Sequence, residues 1–175
     1  MNLTAIALLA IVAAGQEFKI PLNIEKLAAK ASETVEVTLD GAMLQLAGKV
    51  LSEKRADEAQ VKKLIQGLKG VFVRAFEFSS PGQYTQADLE SLRSQLRAPE
   101  WSRIVGIRSA KGENADVFLR MNVNQIIGLV VIAAEPKELA VVYIDGPIDP
   151  AQLTALSGQF GIPKLEGQIR KETTK

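Results

Sequence analysis

The chain has 175 residues, 47% of them hydrophobic and 23% charged, the balance of one globular domain with a core of its own. Its 21 basic and 20 acidic residues leave a net charge of +1, which supplies no bulk attraction to nucleic acid or to an anionic membrane. Cysteine is absent and so is histidine. That removes disulfides, thiolate nucleophiles, thiolate or imidazole metal centres and every histidine-based triad.

Residues 3–14 (LTAIALLAIVAA) are apolar apart from one Thr. As a helix they would span about 18 Å, too short for a hydrocarbon core of roughly 30 Å. Ala13, Ala14 and Gly15 before the polar Gln16-Glu17 suit signal-peptidase cleavage, although Asn2 stands where such leaders carry Lys or Arg. The expectation is a signal peptide over about 1–15, an exported (periplasmic or secreted) chain, and no membrane span in the mature part. One domain then covers 16–165, and 166–175 form a polar tail.

Pro21 and Asn23 introduce a helix over 24–31. TVEVTL (34–39) alternates like a strand with one wet face, and Asp40 caps a helix to about residue 51 with Met43, Leu44, Ala47, Val50 and Leu51 as its stripe. Asp57 and Gln60 resemble a capping box for a third helix facing inward through Val61, Leu64, Ile65 and Leu68, with Gly70 as its stop. Lys62, Lys63 and Lys69 lie off that stripe as a solvated face. VFVRAFEF (71–78) is a strand with Phe72, Phe76 and Phe78 on one face. Thr85 and Asp88 form a second capping box before Leu89, Leu92 and Leu96, and Pro99 ends that helix.

Residues 101–149 hold four apolar runs broken by three turn signals, the pattern of an antiparallel meander: 101–108, 115–121, 126–134 and 139–144. The third run is apolar on both faces, as a central covered strand is. Asp149-Pro150 then opens a short helix ending at Gly158. The fold class expected is α+β: a mixed sheet with a C-terminal four-strand antiparallel meander and helices packed mainly on one face.

The chain carries no P-loop, no dinucleotide-binding glycine fingerprint and no nucleophile elbow, so no catalytic, cofactor-binding or metal-binding set emerges. Asp145 and Asp149 are turn and cap residues, without the ligand density of a calcium loop. Arg74, Arg103, Arg108 and Arg120 all fall on strands, with Glu77 and Asp116 near in sequence. Converging arginines would bind an anion bidentately; surface cross-strand ion pairs are the plainer alternative. Arg103 and Arg108 differ in parity, which puts them on opposite faces of one strand. Trp101 suits a ligand platform or a core rim. The ligand or partner candidates are therefore Arg74, Arg103, Arg120 and Trp101.

The blocks TVEVTLDGAMLQLA, VKKLIQGLKGVFVRAFEF, WSRIVGIRS, GENADVFL, AAEPKELAVVYIDGPID and GQFGIPKL, in that order, resemble the bacterial family labelled domain of unknown function 4252, over roughly 24–165. The resemblance implies an exported or envelope protein from bacteria such as Acidobacteria and Bacteroidetes. It also implies a neighbourhood with extracytoplasmic-function sigma factor systems, and no known catalytic residues. Some members are lipoproteins; this chain has no cysteine to carry a lipid. Three functions follow in order: a non-enzymatic module that binds another envelope protein through a sheet face or edge, an anion or small-molecule binder using the strand arginines, and a hydrolase using Glu77 and Asp116 across a cleft.

Overall fold

The computed structural model of the chain describes residues 17–52 and 54–150. The expected signal peptide, the helix after Asp149 and the polar tail lie outside these residues. Within these residues four α-helices and six strands follow one another as α1 (Leu22–Glu25, continued by a 3-10 turn over Lys26–Ala29), β1 (Glu33–Asp40), α2 (Gly41–Val50), α3 (Ala56–Ile65), β2 (Gly70–Glu77), α4 (Gln86–Arg93), β3 (Trp101–Arg108), β4 (Asn114–Asn122), β5 (Gln125–Glu135) and β6 (Glu138–Ile148). The class is α+β. Among the described residues no helix is long and apolar enough to cross a membrane.

The sheet order is β1-β2-β6-β5-β4-β3, and every neighbouring pair is antiparallel, so the sheet is not mixed. The reason lies in the connections. Between β1 and β2 the chain makes two helices, α2 and α3, and an up-and-down pair returns it to where it left, so Asp40 sits opposite Gly70. Between β2 and β3 a single helix carries it over, but these two strands stand at separate places in the sheet, with β6, β5 and β4 between them. No parallel pair ever becomes adjacent.

The helices are also divided between both faces, not gathered on one. On the aromatic face, Phe76, Phe118, Val130, Ile132, Leu139, Val141 and Tyr143 meet Ile24 and Leu27 of the first helical turns and Leu89 and Leu92 of α4. On the opposite, valine face, Leu129 and Ile144 meet Leu44 of α2 and Leu64 of α3. Two covers are needed because β5 and β6 are apolar on both sides, and an exposed second side would forfeit roughly 1.5–3 kcal/mol per large side chain. Phe72, Phe76 and Phe78 do share the aromatic face, with Phe76 and Phe78 buried.

Local signals worked where hydrogen-bond chemistry fixed them. Asp40 accepts from the Met43 N–H at 2.9 Å, and Thr85 and Asp88 form a reciprocal capping box at α4. At α3 the helix starts at Ala56 behind Arg55, whose side chain makes no cap bond, so Asp57 lies inside the first turn and is no N-cap. That helix stops at Ile65, and Gly70 begins β2 instead of ending a helix. The expected α2 stripe is only partly right: Leu44 is buried and Ala47 and Leu51 are half-buried, while Met43 and Val50 are exposed, as is Leu46 outside that stripe. Strand β6 runs on to Ile148, through Gly146-Pro147 where the sequence suggests its end.

Gly146 is what lets β6 continue. Its φ is +123°, and a Cβ there would stand 2.8 Å from the Leu68 Cα and 2.9 Å from the Lys69 backbone nitrogen. The Lys69 N–H donates to the Asp145 carbonyl at 2.8 Å, so the α3–β2 link is laced to this point and cannot retreat. Gly146→Ala should cost about 3 kcal/mol or more, from strain plus a backbone clash. Urea unfolding would measure it, and a change below about 1 kcal/mol would refute the account.

Candidate functional site

Arg120 and Trp101 are brought together. They face each other in the β3/β4 register, and the guanidinium lies 5.4 Å from the Trp101 ring centroid. Arg120 then crosses strand β5 to reach the Asp145 Oδ1 on β6 at 2.7 Å. It can do so because the residue beneath is Gly128, where a Cβ would stand 3.2 Å from both the Arg120 Nε and the Trp101 ring. Trp101 is buried among Phe18 and Tyr143, as a core residue is. The Trp101 Nε1, Arg120 Nε and Tyr143 hydroxyl are buried and make no hydrogen bond of good geometry. Burial first, then the nearby Asp145 and Glu17 charges, push the Tyr143 hydroxyl up to about 12, against an opposing pull from Arg120. Since that oxygen has no well-formed bond, Asp145 acts on it through its charge.

Asp116, expected only as a hydrolase carboxylate or an ion-pair partner, is the buried centre of the largest charge cluster among the described residues. It is fully buried on β4. Arg93 of α4 binds its Oδ2 through Nε at 2.9 Å and Nη2 at 2.8 Å; Arg108 binds Oδ1 at 2.8 Å and Oδ2 at 3.1 Å; Arg103 stands at 3.5 Å. Arg103 and Arg108 therefore point to the same face, contrary to their parity. A β-bulge between Arg103 and Val105 inserts one residue and re-aims the strand. No periodicity rule sees an inserted residue.

Arg74 is a separate and saturated group. Its Nε donates to both Glu25 oxygens at 3.1 Å, its Nη2 pairs with Glu36 at 2.8 Å, and its Nη1 donates to the Val37 and Val73 carbonyls and to Thr38. It staples α1 to β1 and β2. Arg74 and Arg120 share no pocket; Arg74 closes on Glu25 and Glu36, and Arg120 on Asp145. Glu77 is exposed on the valine face while Asp116 is buried on the aromatic face, so the two do not face each other across a cleft. Among the described residues no group of His, Cys, Asp or Glu could hold a metal ion.

The other notable surface is the valine face. One cross-strand row runs Val37–Val73–Val142–Val131–Val117–Val105 through all six strands. The row on one side of it, from Leu39 through Ile144 to Leu119, lies under α2 and α3. The row on the other side runs Val35–Ala75–Ala140–Ala133–Ala115–Ile107 and has no helix over it among the described residues. Its end members Val35 and Ile107 are 45% and 38% exposed. A cleft of about 480 Å³ between Leu64, Leu119, Met121, Ile126 and Ile148 opens at the α3 end.

Two measurements test these assignments. Asp116→Asn should cost about 3–5 kcal/mol, because it strands buried guanidinium charge, whereas Arg103→Ala at the exposed rim should stay within about 0.5 kcal/mol. Equal effects in urea unfolding would overturn the hierarchy. For Tyr143, the unfolded hydroxyl ionises near 10 and the folded one near 12. Stability that is intact below pH 10 is therefore lost as pH rises from 10 toward 12, by on the order of 2 kcal/mol, and Tyr143→Phe should flatten that loss.

Comparison with known proteins adds a family and no activity. No curated protein and no solved structure matches the chain. One family model does, across residues 28–156, which takes in all six strands and helices α2 to α4. With three-quarters of its length inside that match, the chain belongs to the family described as a domain of unknown function (DUF4252).

Proposed function

We propose that the chain is a non-enzymatic protein-interaction module that acts in the cell envelope after export. The observation that carries this is the uncovered apolar row beside the valine row. A sheet that seals one end of a face with two helices and leaves the other end apolar presents a surface of the kind that partners cover. The exposed Met43, Leu46 and Val50, spaced along one side of α2, add a second such surface. The apolar run over 3–14 followed by Ala13-Ala14-Gly15 supports export, and a module of this kind suits envelope signalling.

A second reading, a small-anion binder, keeps one specific support. The bulge turns Arg103 and Arg108 to one face, and Arg103 is 54% exposed with, among the described residues, one long ion pair, to Asp116. It ranks lower because Arg74, Arg93 and Arg120 are already closed on Glu25, Glu36, Asp116 and Asp145. The hydrolase reading loses its pair of facing carboxylates.

The test is recovery of the tagged full chain from the native envelope fraction. Intact mass should show loss of about the first 15 residues, and one partner should co-elute in stoichiometric amount. The double variant Val35→Lys/Ile107→Lys, at two exposed positions, should lose that partner while keeping its melting temperature within a few degrees. A partner retained by the variant, or none at all, would overturn the reading.

A further inference from the structure

Next to the uncovered apolar row lies a row of another kind. In the same register, Glu33 stands opposite Glu77, Glu77 opposite Glu138, and Glu138 opposite Glu135, across β1, β2, β6 and β5. All four share the parity of Val35, Ala75, Ala140 and Ala133, so they project from the valine face, and all four are exposed. Among the described residues none of their carboxylates makes an ion pair or a side-chain hydrogen bond. Lys137 in the β5–β6 turn and Lys111 in the β3–β4 turn do not neutralise them either. Like charges placed directly opposite on neighbouring strands repel. Four in a line, with no counter-ion among the described residues, is an arrangement that works against the free fold.

We infer that the uncovered valine face with its glutamate rim docks a basic amphipathic helix of a partner protein, the rim taking its Lys or Arg side chains and the Val35–Ile107 row its apolar stripe. This rests on the interaction-module reading and gives it a chemistry. Neighbouring strands are about 4.8 Å apart and a helix rises about 5.4 Å per turn, so a helix lying across the strands offers roughly one side chain to each strand. The four glutamates cover about 14 Å, some three turns, and the six-strand row about 24 Å, or some 16 residues of helix. The four alanines in the middle of the row let a helix backbone come close. A second copy of this chain would oppose glutamate to glutamate, and an anionic membrane or nucleic acid would be repelled. Charge complementarity therefore selects the basic helix.

The probe is a labelled 16-residue Leu/Lys helix, read by fluorescence anisotropy against the full chain, with a Leu/Glu helix of the same pattern as control. The Leu/Lys helix should bind at least tenfold more tightly than its acidic twin, with an affinity that falls as salt rises. Glu77→Gln/Glu138→Gln should weaken it at least fivefold while raising the melting temperature, a combination that simple unfolding cannot give. Val35→Ser/Ile107→Ser should weaken it at high salt as well as low. Equal binding of the two helices, no binding, or indifference to Glu77→Gln/Glu138→Gln would overturn the inference. If the envelope partner is lost from Val35→Lys/Ile107→Lys yet kept by Glu77→Gln/Glu138→Gln, the module reading survives and the basic-helix assignment falls. If the Leu/Lys helix binds as expected but no envelope partner is ever captured, the assignment of the face stands and the module reading fails.

Discussion

Two strands in the middle of the sheet have to be dry on both sides, and the rest of the architecture answers that demand. Strands β5 and β6 place Val130, Ile132, Leu139 and Val141 on one face and Leu129 and Ile144 on the other, all buried. Each uncovered side would leave several large apolar groups in water, at roughly 25 cal/mol per Å². The chain therefore spends α1 and α4 on one face and the α2–α3 pair on the other. The supply of helix in the described residues ends before the second face is closed.

That shortfall gives the two faces different characters. The aromatic face is completed by large rings and by buried charge: Phe18, Trp101 and Tyr143 pack edge to face, and Asp116 is compensated by Arg93 and Arg108. A carboxylate with no water near it is tolerable only with such partners, so the cluster ties α4 to β3 and β4 in a single geometry. The valine face is closed near α2 and α3 and, among the described residues, open beyond its central row. Its boundary with water is a line of small apolar residues and then a line of glutamates. The chain's near-zero net charge conceals this separation, since the acidic row and the arginine clusters lie on opposite faces.

The resemblance to domain of unknown function 4252 was legible in ordered blocks of sequence, and membership follows from the match over residues 28–156. Much of the element order was legible too. Alternation marked β1, paired turn residues marked the hairpins, and Asp40 and Thr85 marked helix starts through bonds to residues three places on. Less legible were features that depend on partners far along the chain. Asp57 resembles a cap but lies within its helix, and the apolar Met43 and Val50 are exposed because α2 buries Leu44 and Gly48 and turns those two away from the sheet. Of the candidate residues, Arg120 and Trp101 do meet, whereas Arg74 stands apart on β1 and β2 and Arg103 joins Arg108 around Asp116. Tyr143 gave no signal as a site residue, Asp145 reads as a turn residue and Asp116 only as a hydrolase carboxylate or ion-pair partner, since a polar residue in a strand looks the same whether it faces water or is buried under arginines.

By itself the sequence determined what is local or compositional: the absence of cysteine and histidine chemistry, the α+β class, most strands, two helix caps and the family. These depend on residue type and on spacings of two to four residues, which short-range sterics and hydrogen bonds enforce. The tertiary structure decided what depends on register and on long-range return of the chain. An antiparallel sheet replaced a mixed one because α2 and α3 cancel each other's displacement. A single bulge after Arg103 reversed the parity of a strand. The glutamate row exists only because four residues from four strands, more than a hundred positions apart at the extremes, arrive side by side, and no pattern along one strand encodes its neighbour.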